Sequence, residues 1–262
     1  MRVVDLDRDM SDVIPTGTSL DSEFLFARMT DRTLELADAA PGRRILDVAS
    51  GVGQDAVRMA RSGAEVVAAE PSGRMLGMVG LVAANRGGQQ PHWVRCWGDS
   101  LPFDSGSFDA VICKGALDHF DRPSEAIAEM ARVTRRDGRV VLAIANFESL
   151  ACRIGRLVDE IGQDSCGRGP IRLRRSYDCP SDHFTRYELE LMREQAERHL
   201  ELDVIDGISL GWGAPGWSRL VGALSGRAAG RLLAGCDSLA RRWPTLADVI
   251  VLAGRPRTDR PA

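Results

Sequence analysis

Ile45-Leu-Asp-Val-Ala-Ser-Gly-Val-Gly-Gln-Asp-Ala56 is the stretch whose reading decides the fold. The short apolar run Ile45 to Val48 reads as a buried strand. It breaks at Ala49-Ser50-Gly51-Val52-Gly53 and resumes as a helical pattern from Gln54 to Arg61, closed by Ser62-Gly63. A strand, a glycine turn and a helix open a nucleotide-binding α/β unit. Ala49, Gly51 and Gly53 keep side chains off the turn, so a ligand can lie against its backbone N–H groups. Asp47 adds a carboxylate at the strand end. A dinucleotide site is the competing reading, with Ala56 tolerated in its third glycine position. Asp55 at the helix start argues against it, because it would repel a pyrophosphate.

Working outward, a second strand, Ala64 to Glu70, ends in an acid about 20 residues after the turn, where α/β nucleotide folds place a carboxylate for ribose hydroxyls. A strand-end acid that only caps the next helix is the plainer alternative. Pro71-Ser72 then starts a helix running to about Asn85. A third strand, His92 to Cys96, leads into Trp97-Gly-Asp-Ser-Leu-Pro-Phe103, where Asp99 is a candidate acceptor for an exocyclic amine and the Ser100 N–H a candidate donor to a ring nitrogen. A fourth strand, Phe108 to Cys113, precedes Lys114-Gly-Ala-Leu-Asp-His-Phe120. Pro123 opens an amphipathic helix through Thr134, and Asp137-Gly138 is expected to turn into a fifth strand ending at Ala145. Such alternation means a mostly parallel, doubly covered sheet, with ligands beyond the carboxyl ends of its strands. Asp47, Glu70, Asp99 and Lys114 all fall at or just after such ends, so one pocket can collect them.

Before this unit, residues 1–40 read as a helical arm or lid: helices from Ser19 to Met29 and from Asp31 to Ala40, ended by Pro41-Gly42. After it, residues 147–185 read as a lid insertion, with a helix from Ala151 to Ile161 and a glycine-rich basic stretch carrying Arg168, Arg172, Arg174 and Arg175. Residues 186–262 are expected to complete the sheet through a helix (Glu188 to His199), a sixth strand (Leu200 to Ile205), a helical excursion over 210–245 and a final antiparallel strand (Asp248 to Ala253). His183 is a candidate general base, with Tyr187 able to orient it, while Trp212 and Trp217 offer flat apolar surface to an aromatic acceptor.

The 262 residues allow one elaborated α/β domain, and 44% hydrophobic residues supply a core. A net charge of −3 gives no footprint for a nucleic-acid or membrane-surface partner. With no apolar run of membrane length and an acidic start, the chain is expected to be cytoplasmic. The six cysteines lack C-x-x-C spacing and read as reduced thiols. Cys166, Cys179 and His183 are the one combination that could share a metal, and no metal site is expected.

The ordered stretches Ile45–Gly53, Val67–Leu76, Leu101–Val111, Leu117–Phe120 and Arg132–Leu142 resemble the class I S-adenosylmethionine-dependent methyltransferases, and within them the small-molecule group that includes the ubiquinone-type enzymes. The resemblance covers about residues 40–146. It implies a Rossmann-like, doubly wound, seven-stranded sheet, mostly parallel with one antiparallel strand, and residues 41–146 as the S-adenosylmethionine-binding core. It implies that Asp47, Ala49, Gly51 and Gly53 surround the methionine end and the ribose. Glu70 would hold the ribose diol, with Pro71 and Met75 against the adenine. Asp99 and Ser100 would read the adenine, or Trp97 and Gly98 in their place under a shifted alignment. Lys114 and Gly115 would lie under the sulfonium, and His119 at the mouth of the acceptor site. The activity implied is methyl transfer to a small-molecule acceptor, aromatic or anionic, with His119 and His183 as candidate bases. A cyclase that keeps the cofactor without methyl transfer and a non-catalytic binding module are the rival readings.

Overall fold

The computed structural model describes residues 19–83, 89–166 and 184–257, without the side chains of 80–83 and 162–166. Its centre is a seven-stranded sheet of β1 (Arg44–Val48), β2 (Glu65–Ala69), β3 (His92–Val94), β4 (Phe108–Lys114), β5 (Thr134–Ala145), β6 (Leu200–Ile208) and β7 (Val249–Pro256). The order across the sheet is β3-β2-β1-β4-β5-β7-β6. β1 to β5 pair in parallel, and β7 runs antiparallel to both β5 and β6. This is the Rossmann-like seven-stranded architecture anticipated above. The central strands are apolar on both faces because helices cover both, as parallel crossover connections require.

One face carries Leu46, Val48, Val111, Leu142 and Leu252 against Ile127 and Met130 of α4 (Pro123–Val133) and Met192 and Ala196 of α6 (Leu189–Glu197). The other carries Ile45, Val66, Ile112 and Val141 against α1 (Leu20–Ala37) and α2 (Gln54–Arg61). The helices α3 (Gly73–Ala83), α5 (Leu150–Cys166), α7 (Trp217–Ala223) and α8 (Gly226–Arg242) complete the described chain.

Three boundaries differ from expectation. The N-terminal segment is one helix, not two. Neither glycine nor proline falls near residue 30, and the buried stripe Leu25, Met29, Thr33 and Leu36 keeps one phase throughout. Arg28 and Arg32 pin this helix to Asp237 and Asp206, at 3.1 and 2.8 Å. The turn at Asp137-Gly138 lies inside a strand: residues 134 to 139 oppose only 108 to 110, and the chain folds back until a Gly138 Cβ would lie 3.0 Å from the Arg135 carbonyl oxygen. β5 starts at Thr134, directly after α4, and Gly138 lies within the strand. A Cβ at Gly138 would fall 2.7 Å from the Asp109 carbonyl oxygen, so the glycine serves a close backbone approach where the β4–β5 register shifts. The excursion over 210–245 is two helices, α7 and α8, with Val221, Ala229 and Leu233 in a small core of their own.

Candidate functional site

The first turn folds back sharply at the end of β1. Ala49, Gly51 and Gly53 have φ of 56°, 57° and 78°. Left-handed backbone is free to glycine and costs alanine about 1 kcal/mol. The turn is fastened by Ser50 N–H to the Ala69 carbonyl (3.1 Å) and Gly53 N–H to the Ser50 carbonyl (2.9 Å). Gly53 has a second constraint, since a Cβ there would lie 2.0 Å from Cη2 of Trp93. Over Gly51 the space is open, with no heavy atom within 4 Å of where a Cβ would be. Beside it the buried Ser50 hydroxyl has no hydrogen-bond partner among the described residues.

Glu70, buried at the end of β2, bridges this turn to the next helix. Its Oε2 accepts the Gly51 N–H at 2.8 Å and its Oε1 the Ser72 N–H at 2.9 Å. The helix cap is supplied by Ser72 Oγ, which accepts the Met75 N–H at 3.0 Å. Glu70 is therefore joined to the glycine turn as well as to the helix start. Pro71 is half-buried beside it and Met75 buried.

Asp47 is buried at the end of β1, and Asp55 sits in the first turn of α2. Burial, then Asp55 and Glu70, push the Asp47 carboxyl well above the usual range, against the opposing pull of Lys114 and of the Ala56 N–H. The Lys114 ammonium, at the end of β4, pairs with Asp55 at 2.7 Å and donates to Thr30 Oγ1 of α1 at 2.6 Å. The lysine thus neutralises Asp55, and the buried Asp47 beside them is held toward its protonated form. Gly115 follows with φ 67°, below Met29 of α1.

The loop after β3 closes the far side. Gly98 lies under the Phe120 ring, 2.7 Å from where its Cβ would be and 3.1 Å from Val48, so this loop rests on the β1 end. Ser100 N–H bonds the Trp97 carbonyl at 3.1 Å. Asp99 pairs with Arg122 at 2.8 Å, an arginine that the sequence reading had not singled out. His119 is half-exposed in the short helix Leu117–His119, with Nε2 3.8 Å from Asp118 Oδ1. The Asp118 carbonyl accepts the N–H groups of Phe184 and Thr185, which draws that stretch to the rim. His183 itself lies outside the described residues, as do Cys179 and the arginines at 168, 172, 174 and 175. Tyr187 corrects an expectation. It is fully buried in the core, bonded to Gln195 Oε1 at 2.8 Å, so it orients no base. Thr30 gave no signal in the sequence, because a polar residue inside a helix is ordinary until the fold sets it over a lysine.

A family model described as "Methyltransferase domain" matches residues 46–142. The demethylmenaquinone methyltransferase of Mycolicibacterium paratuberculosis is 30% identical over 215 residues, 81% of this chain and 85% of that protein. The chain belongs to the methyltransferase family. The methyltransferase of the same name from Mycolicibacterium gilvum is 38% identical over 133 residues, 50% of this chain, and the chain spans about half of its length. YcgJ of Bacillus subtilis shares the methyltransferase fold with a TM-score of 0.55 at 15% identity, over 88% of this chain and 99% of that one.

S-adenosylmethionine is the family's cofactor, and this methyltransferase rim fits it on two counts. Open space lies over Gly51, and a hydroxyl without a partner among the described residues stands at Ser50.

Proposed function

We propose that this methyltransferase transfers a methyl group from S-adenosylmethionine to a small-molecule acceptor. The observation that carries the reading is the buried Glu70 carboxylate, tied to the glycine turn beside open space and an orphaned hydroxyl. The bound cofactor supplies an electrophilic methyl on a cationic sulfur, with a neutral thioether as leaving group. The residues of the chain then have only to bind, orient and exclude water. Glu70, fixed by its bonds to Gly51 and Ser72, is the carboxylate placed to accept the ribose hydroxyls. The Ser50 hydroxyl is offered to the sugar, the N–H groups of Ser50, Gly51 and Gly53 being engaged within the protein, and Asp47 presents a hydrogen-bonding carboxyl to the amino-acid end. Pro71 and Met75 supply apolar surface to one side of the adenine, and Gly98 lets Phe120 close against the loop where Asp99 and Ser100 meet its edge. Lys114, held by Asp55 and Thr30, fixes the floor at the β4 end with Gly115. His119, half-exposed at the mouth, is the candidate to take a proton from an acidic acceptor, and His183 is the second candidate.

The name shared by the curated relatives supports an aromatic, quinol-type acceptor. No helix among the described residues is long and apolar enough to cross a membrane. The test is calorimetric titration with S-adenosylmethionine and S-adenosylhomocysteine, followed by mass spectrometry of candidate acceptors. Micromolar uptake and a product heavier by one methylene support the reading. Uptake without any methylated product would favour the cyclase-like alternative, and absence of uptake would end both.

A further inference from the structure

The carboxyl-end rim has a second half, over β5, β7 and β6, where the proposed cofactor residues do not reach. Three buried polar atoms without a hydrogen-bond partner among the described residues gather there: Asp21 Oδ1, Asp248 Oδ1 and the Trp217 indole N–H. They share one locality. Asp248 Oδ2 accepts the Trp212 N–H at 3.0 Å, and the Gly211 N–H and the Ser209 hydroxyl also face this carboxylate. The Trp217 ring packs 3.1 Å from the Cβ position of Gly211. Its neighbour Ser218 donates to Asp21 Oδ2 at 2.8 Å. Asp21 and Asp248 are 1% and 4% exposed, so bulk solvent does not reach them. Buried orphan atoms cost folding free energy, and three in one locality call for a ligand.

We infer that Asp21, Asp248 and Trp217 form a buried subsite that holds a hydroxyl group of the methyl acceptor. The chemistry of the three atoms selects that class. A hydroxyl donates to a carboxylate and accepts from an indole N–H at once. An ammonium would satisfy the acids and leave the indole unpaired, and a carboxylate would add a third acid to a site that already holds two. The Asp248 carboxyl, pushed up to about 7 by burial and by Asp21, is poised to pair with such a group. Thr30, over Lys114, is nine residues along α1 from Asp21, about 14 Å at the helical rise. The subsite therefore anchors the end of the acceptor remote from the transferred methyl, and its residues position the acceptor without reacting. The substrate class rests on the methyltransferase reading above.

The test uses the full chain with saturating S-adenosylhomocysteine and three probes: naphthalene-2,6-diol, 2,6-dimethoxynaphthalene and naphthalene-2,6-dicarboxylate. Calorimetry is expected to show the diol binding at least tenfold more tightly than its dimethyl ether, with no uptake of the dicarboxylate. Asp248→Asn should remove most of that tenfold preference, and Trp217→Phe about threefold of it, while S-adenosylhomocysteine affinity stays within twofold. A merely structural role would alter folding or cofactor affinity and leave the diol-to-ether ratio alone. Equal binding of diol and ether, no binding of the diol, or an unchanged ratio in Asp248→Asn overturns the subsite. Failure of S-adenosylhomocysteine to bind overturns the methyltransferase reading instead, and the diol-to-ether ratio still decides the subsite.

Discussion

Replacing Glu70 by Gln keeps the size of the side chain and removes its charge. In the wild-type protein both carboxylate oxygens accept backbone N–H groups, at 2.8 and 2.9 Å. Glutamine retains one acceptor and turns its amide N–H toward the other donor, either Gly51 or Ser72. One charge-assisted bond of about 2 kcal/mol is lost, and a buried donor is left without a partner at a further cost of about 1 kcal/mol. The fold should therefore lose about 3 kcal/mol, read as a lower urea midpoint. The proposed role adds a second effect. Two ribose hydroxyls would exchange a charged acceptor for a neutral one, weakening S-adenosylhomocysteine by about 10–100-fold. Calorimetry under conditions where the variant is fully folded separates the two effects. If folded Glu70→Gln binds S-adenosylhomocysteine within threefold of wild type, Glu70 does not hold the ribose, and its bonds to Gly51 and Ser72 are only structural.

Other substitutions probe the same rim. Ala49→Gly relieves left-handed strain at φ 56° and should stabilise the fold by about 0.5–1 kcal/mol in urea, less whatever entropy the unfolded chain regains. Gly53→Ala drives a methyl into the Trp93 ring and should cost about 3 kcal/mol, partly restored by Trp93→Val in the double variant. Asp248 holds its proton up to about pH 7 when folded and to about pH 4 when unfolded. Its contribution to stability is then complete below pH 4, and up to about 4 kcal/mol is lost as the pH rises to 7 and beyond. Asp248→Asn should flatten that part of the stability profile, and an unchanged slope between pH 4 and 8 would show that burial does not perturb this carboxyl.

Most of the sheet was legible, because its strands are short apolar runs punctuated by glycine, proline and acids at their ends. The glycine turn and Glu70 could be paired from spacing alone, since a doubly wound sheet fixes where strand ends meet. Three things were not legible, each for a physical reason. Asp137-Gly138 does fold the chain back, but pairing with β4 already begins at Thr134, and nothing local announces a strand that starts before its own turn. Tyr187 looked like a site residue because hydroxyl-bearing aromatics near a histidine so often are, and nothing local reveals that its ring fills the core. Asp21 and Asp248 lie more than two hundred residues apart, and no periodicity announces that a helix start and the residue before the last strand face each other.

α1 bears on the shape of the rim. Leu25, Met29 and Leu36 are embedded in the sheet's apolar layer, Arg28 and Arg32 are clamped to distant acids, and Thr30 holds Lys114. A helix fastened at so many points is a permanent wall. Swinging it aside would expose a large share of the interior, so this side of the rim keeps one shape whether or not a ligand is present.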